Sequence, residues 1–268
     1  MRGCVMPART TSDDSLPIEP TIEPVRPADE IDGDQHTTSD DPFAAMPDAR
    51  RVVLTFLIGL AVMVAALTGA GLLITDAEAL EGVRDWDSSI SADMADSRNT
   101  DATDLARLIT KTGDTLPIVA LIGAVTMVLA VMRKWKAMIF LPMAMLAEIT
   151  TFLAVNHLVG RERPPVDKIG PLPGTYSFPS GHVAATLVCW VGISLLLAAY
   201  GFGKSARIVA AFGALMAVAM AWARVYAGMH YTTDVIFGFM MGLAALALAI
   251  VATGWSARDP VRRRPPNA

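Results

Sequence analysis

His230 and Asp234 stand four residues apart, so on a helix beginning near His230 the carboxylate lies one turn from the imidazole. A carboxylate that accepts from one ring nitrogen fixes the tautomer and leaves the other nitrogen free as a nucleophile. Such a pair arises by chance on many helices, and it gains meaning from Arg224 six residues earlier and from a second histidine, His182. His182 follows Pro179-Ser180-Gly181, where proline stops any preceding helix and Ser180 with Gly181 opens the next. Free backbone N–H groups at that positive helix end make an anion site. Glycine lets the backbone approach a phosphate oxygen, and the serine hydroxyl can add a donor. His182, in the first turn, can act as a proton donor to the same pocket. Taken alone, Ser180 also reads as a helix cap and His182 as a histidine at a lipid interface.

These groups need elements to carry them. The chain of 268 residues has a positive mean hydropathy despite a long polar start. Its apolar residues gather in stretches near the roughly 20 residues needed to cross a bilayer: Val52 to Thr75, Leu116 to Met132 (slightly short), Ala137 to Val159, His182 to Tyr200, Arg207 to Tyr226 and Thr233 to Gly254. The expected fold is an all-α, polytopic six-transmembrane-helix bundle. Residues 1–49 are rich in Asp, Pro, Thr and Ser and poor in aromatic residues, so they read as a disordered acidic tail. Residues 50–257 form the membrane domain, and 258–268 a basic tail. The first apolar run begins too late for a cleavable signal peptide. The two cysteines, Cys4 and Cys189, are placed too differently to pair, and the net charge of −4 says little about partners.

Basic residues favour the cytoplasmic side of short loops. Arg50 and Arg51, Arg133 with Lys134 and Lys136, Lys204, and Arg258 with Arg262 to Arg264 then all fall on one side of six crossings, with both termini cytoplasmic. The first outer loop, Asp76 to Thr115, is acidic. It contains a short amphipathic helix with Leu105, Leu108 and Ile109 on one face and Asp101 or Asp104 as its cap, expected to lie along the membrane surface as a lid or brace. Arg161, Arg163, Lys168 and Arg224 break the charge rule by falling outside, which calls for an anionic partner, and a phosphate gripped by several arginines is the natural one. Topology thus brings Arg163-Pro164, Pro179 to His182, and Arg224 with His230 and Asp234 to a single membrane face.

The three motifs together resemble the type 2 phosphatidic acid phosphatase superfamily, which also includes vanadium-dependent haloperoxidases. The likeness spans Asn156 to Asp234. It implies a metal-free, cofactor-free, two-step hydrolysis of a lipid phosphate or polyprenyl pyrophosphate at the extracytoplasmic face. His230 would attack phosphorus to give a phosphohistidine, His182 would protonate the leaving oxygen, and Asp234 would orient His230. Arg163, Arg224, Ser180 and the Gly181 amide would hold the phosphate oxygens. Two positions depart from the family pattern. Asn156 stands where the first motif usually opens with lysine, and Ala223 where the third has serine before its arginine. Asn156 can still donate a neutral hydrogen bond to the phosphate, and Arg161 or Lys168 can compensate for the lost charge; the alternatives are a catalytically weakened relative or a substrate of different charge.

Competing readings remain at this level. A haloperoxidase would hold vanadate in the same pocket, although those relatives are mainly soluble. Glu148, in the middle of the third apolar run, is the group a transporter or scramblase would use; it is expected to lie about 20 Å along the helix from Arg163 and so outside the hydrolytic pocket. His157 with His182 and His230 lacks metal-ligand spacing, and no metal is expected. Partners implied are a lipid phosphate and the bilayer, with no nucleic acid; the sequence does not fix an oligomeric state. Gly238 and Gly242 have the small-residue spacing of close helix contact, expected to pack the core.

Overall fold

The computed structural model describes residues 42–43 and 46–255. The two expected tails therefore lie almost entirely outside the described residues. Among the described residues eight α-helices follow one another: α1 (Ala49–Asp76), α2 (Glu81–Asp96), α3 (Thr100–Thr112), α4 (Thr115–Val131), α5 (Phe140–Val159), α6 (Gly181–Ala199), α7 (Gly203–Tyr226) and α8 (Thr232–Thr253). The chain is an all-helical polytopic membrane protein. Five segments are long and apolar enough to cross a membrane: α1, α5 with the turn before it, α6, α7 and α8. The sixth expected crossing is α4, too short alone but joined to α3 across a 44° bend.

Local chemistry sets the helix ends. Asp48 caps α1 by accepting from Arg51 N at 2.9 Å. Arg84 reaches back from α2 to the end of α1, donating to the Ala77 and Ile74 carbonyls at 2.7 and 3.3 Å. Gly160 ends α5 with φ +64°, a left-handed cap that returns its N–H to Asn156 O.

A hydrophobic core of α1, α4, α5, α6 and α8 residues, including Leu67, Phe140, Leu141, Val155, Val188, Met241 and Leu246, fills the bundle. At one end Phe43 stacks on Trp255 with ring centroids 5.8 Å apart, and both meet Phe140. The described chain thus enters and leaves the bundle at the same end, as an even number of crossings requires. Between α6 and α8 the approach is close enough that a Cβ on Gly238 would stand 2.6 Å from Ser180 O, and one on Gly242 would stand 3.0 Å from Ala184 O. The small-residue pair thus packs the core against the start of α6.

The first long connection differs from expectation. It holds two helices, and α3 is capped by Asn99, whose side chain accepts from Ala102 N at 2.9 Å, in place of Asp101 or Asp104. Leu105 and Leu108 face outward, while Ala102, Ala106 and Ile109 pack on Trp222, Ala223 and Tyr226 of α7. Small residues allow that close contact, so α3 braces α7 with the opposite face from the one its leucines mark. α2 is more deeply engaged: Asp87 and Ser91 are fully buried.

Candidate active site

The end of α5, the starts of α6 and α8, and the end of α7 meet around a strap of residues 175–178. The strap's backbone is held from three sides, by two side chains and one backbone carbonyl. Asn156 is fully buried and donates to the Tyr176 and Phe178 carbonyls at 2.9 and 3.0 Å while accepting from Tyr176 N at 2.9 Å. Arg163 donates to the Thr175 and Tyr176 carbonyls at 3.0 Å each and to Met229 O. Ser177 N donates to Arg161 O at 2.8 Å.

His230 lies in the turn between α7 and α8, buried, with Nδ1 2.7 Å from Ser177 O. A carbonyl only accepts, so the proton sits on Nδ1 and Nε2 keeps its lone pair. Asp234 is farther away, with Oδ2 3.7 Å from the same Nδ1. The expectation that its carboxylate takes the ring hydrogen bond is therefore corrected: the closer acceptor is a backbone carbonyl. Asp234 instead accepts from Ser177 Oγ and, at 2.8 Å, from Tyr231 N, which fixes the first turn of α8. Its other oxygen accepts from Arg161 at 2.6 Å. Burial pushes the His230 imidazole down from 6.5 to about 4; Asp234 opposes this, and the positive charges of Arg224 and Arg163 reinforce it. His230 is thus a neutral imidazole near pH 7.

Arg161 does not supply the charge missing at Asn156. Its guanidinium bridges Asp234 and Asp87, the latter at 2.9 Å, donates to Thr233 Oγ1 at 2.7 Å, and lies 4.2 Å from the Tyr231 ring centroid. Burial alone would push Arg161 down, but Asp234 and Asp87 outweigh it and raise it above its ordinary value. Lys168 is folded onto the Pro164 and Val166 carbonyls of its own loop. Asn156 is corrected as well: both amide hydrogens are engaged by the strap, so no donor is left for a phosphate, and it does not line the cavity.

A cavity of about 300 Å³ opens at this end, lined by Arg163, Thr175, Gly181, His182, Arg224 and His230, among others. Arg224 is 5% exposed, makes no hydrogen bond or ion pair with a described residue, and has its Nε buried without a partner. A buried cation without a hydrogen bond or ion pair to the protein, opposed by Asp114 at longer range, is suited to receive an anion. Ser180 begins α6 without capping it, and its buried Oγ also lacks a partner, so the helix-cap reading of that hydroxyl does not hold. His182 Nε2 lies 3.2 Å from Asp114 Oδ1 at the bend between α3 and α4. The cavity thus joins His182, His230, Arg163, Arg224 and Gly181, with Ser180 and Asp234 directly behind them.

Glu148 lines the same cavity, contrary to the distance-based expectation. The helix distance from Arg163 is beside the point, because α6 starts against α5: a Cβ on Gly181 would stand 3.1 Å from the Phe152 ring. His157 is exposed, edge-on to Tyr176 at 6.3 Å, and does not line the cavity. Asp87, Asp114 and Ser177 carried no motif. Only their long-range partners reveal them.

A helical membrane bundle with two histidines and two arginines converging on one cavity defines the class. Residues 136–258 match the model of the PAP2 superfamily, the family that the three motifs resemble. Over 92 residues the chain is 35% identical to an undecaprenyl-diphosphatase of Sulfolobus acidocaldarius, a match covering 34% of this chain and 41% of that relative. The alignment therefore spans less than half of the relative's length. The fold is similar to the crystal structure of a transmembrane PAP2 type phosphatidylglycerolphosphate phosphatase from Bacillus subtilis, with a TM-score of 0.57 over 76% of this chain and 94% of that one, at 23% identity.

Proposed function

We propose that this protein is a metal-independent phosphatase that hydrolyses a lipid phosphate or polyprenyl pyrophosphate at the extracytoplasmic face of the membrane. The observation that carries the reading is the pairing of a neutral His230, with its lone pair on Nε2, and an Arg224 that makes no hydrogen bond or ion pair with a described residue, in one cavity.

In the first step the His230 Nε2 lone pair attacks phosphorus while the bond to the leaving oxygen breaks and His182 gives that oxygen its proton. The imidazole becomes cationic as it is phosphorylated, and Asp234 at 3.7 Å stabilises that charge. Water then attacks phosphorus, His182 takes its proton, and the P–N bond returns its electrons to His230. Arg224, Arg163 and the α6 amides hold the equatorial oxygens, where negative charge shifts in the transition state. The basic clusters at the opposite end of the bundle support a cytoplasmic assignment for that end and an extracytoplasmic one for the cavity.

A phosphate-release panel over phosphatidate, phosphatidylglycerol phosphate and a polyprenyl diphosphate, with chelator present, tests this. Release by the wild type with loss of at least about 10³-fold in His230→Ala is expected, together with a phosphoprotein trapped on rapid acid quench. Equal release by both proteins would overturn the mechanism.

A further inference from the structure

Glu148 stands where the cavity leaves the phosphate grip and enters hydrocarbon. It is 3% exposed and makes no hydrogen bond or ion pair with a described residue. Its neighbours in the wall are Ile118, Val119, Met145, Ile149 and Phe152. Phe152 packs on Gly181, the start of the anion site. Glu148 is one turn beyond it on α5, about 6 Å farther from that site. The wall then continues into an apolar groove between α4 and α5, which shares Val119, Met145 and Ile149 with the cavity and adds Ile122, Met127 and Leu146. The passage therefore runs from phosphate grip to carboxyl to hydrocarbon seat.

A carboxyl buried in an apolar wall is costly unless it is hydrogen-bonded, and here the protein supplies no partner. A bound lipid can. A polyprenyl chain carries no hydrogen-bonding group beyond its phosphates, whereas a diacylglycerol places ester carbonyls a few bonds below the phosphate. Taking as given that the cavity holds a lipid phosphate, we propose that Glu148 hydrogen-bonds an ester carbonyl of the substrate, which makes ester-linked glycerolipid phosphates the preferred class over polyprenyl diphosphates. A carboxylic O–H donates to the carbonyl and both buried groups are satisfied. A chain without that acceptor leaves the carboxyl unpaired, and a site built to hydrogen-bond rejects such an analogue.

The test is equilibrium binding to the full-length protein in nanodiscs. The ligands are non-hydrolysable phosphonates of three lipids: a diacylglycerol, its dialkyl ether counterpart, and a polyprenyl chain. The wild type is expected to bind the ester about tenfold more tightly than the other two. Glu148→Gln, which keeps an N–H donor, retains the preference, and Glu148→Leu brings the ratio to about one. Equal binding of ester and ether by the wild type, tighter binding of the polyprenyl ligand, or an undiminished preference in Glu148→Leu overturns the proposal. Should Glu148→Leu not fold, the wild-type and Glu148→Gln ratios decide. Phosphate release from the corresponding natural lipids is read in parallel: an ester preference without any hydrolysis supports the Glu148 contact and overturns the phosphatase reading alone.

Discussion

Arg161 Nη1 lies 2.6 Å from Asp234 Oδ1, and the other end of the same guanidinium lies 2.9 Å from Asp87 Oδ2. One cation thus ties the first turn of α8 to α2, and both carboxylates are fully buried. Thr233 closes the loop by donating its N–H and its hydroxyl to Asp87. The consequence reaches His230. With one Asp234 oxygen engaged by Arg161 and the other by Ser177 and Tyr231, the imidazole hydrogen bond falls to the neutral Ser177 carbonyl. The nucleophile is then held in place by a neutral acceptor, and Asp234, 3.7 Å away, raises its basicity less than burial lowers it.

Arg161→Gln leaves two buried carboxylates facing each other, and breaking such a pair costs about 3 to 5 kcal/mol. Asp87→Asn keeps Arg161 paired with Asp234 and is expected to cost less, about 1 to 3 kcal/mol. Arg161→Lys loses the planar fork and can serve only one carboxylate well. The expected order of thermal stability in detergent is wild type, Asp87→Asn, Arg161→Lys, Arg161→Gln. An Arg161→Gln protein melting with the wild type would show that the bridge is not buried as described.

The pH dependence follows from His230, whose proton affinity is lowered chiefly by burial to about 4. Nucleophilic attack needs the neutral ring, so the limb of kcat/KM due to His230 falls away only below about pH 5, well under the 6.5 of an ordinary imidazole, once the substrate's own phosphate titration is divided out. The stability sign agrees: the unfolded chain binds this proton first as pH falls, so stability is intact above 6.5 and is lost as pH drops through 4. A His230 limb centred near 6.5 would contradict a buried, carbonyl-bonded ring.

The two arginines of the grip should separate cleanly. Arg163 holds the strap through Thr175, Tyr176 and Met229, so Arg163→Gln is expected to lower both melting temperature and activity. Arg224 makes no hydrogen bond or ion pair with a described residue and is opposed by Asp114 at longer range, so Arg224→Gln removes a poorly compensated buried charge and leaves the melting temperature unchanged or higher. Its phosphate release should still fall about 10²-fold or more, because the oxygens lose a charged donor in the transition state. Melting curves and release rates on the same preparations check both halves; an Arg224→Gln protein that unfolds easily would place that guanidinium in the structural framework.

What the sequence made legible was local chemistry: the Pro179-Ser180-Gly181 opening of α6, the His230 and Asp234 spacing, and the apolar runs that became the spanning helices. Asp87 stayed hidden because it sits among Arg84, Asp85, Ser88 and Ser89 and reads as part of a solvated helix face; its partner is 74 residues away. Ser177 is hidden for a different reason: its carbonyl serves His230 and its hydroxyl serves Asp234, both more than fifty residues away. Glu148 was misplaced by measuring along one helix, when the return of the chain through 175–182 brings α6 back beside it. Leu105 and Leu108 misled because lipid-facing and core-facing leucines look alike in a membrane protein, and small residues mark the packed face of α3.

Asn156 reverses the expectation its position invites. Restoring the family's lysine there looks like a gain of charge for the phosphate grip. In this fold the position is fully buried, and the amide makes three bonds to residues 176–178, the segment whose Ser177 carbonyl sets the His230 tautomer. Lysine has donors but no acceptor for Tyr176 N, and its charge would be buried among groups already satisfied. Asn156→Lys is therefore expected to lose activity, about tenfold or more, and to destabilise the protein by about 2 kcal/mol or more. Asn156→Asp, which exchanges both donors for an acceptor facing two carbonyls, should be at least as damaging. Phosphate release and thermal melting of the two variants decide the point. Enhanced release by Asn156→Lys with an unchanged melting temperature would mean that the residue faces the phosphate after all, and that the strap is held by other means.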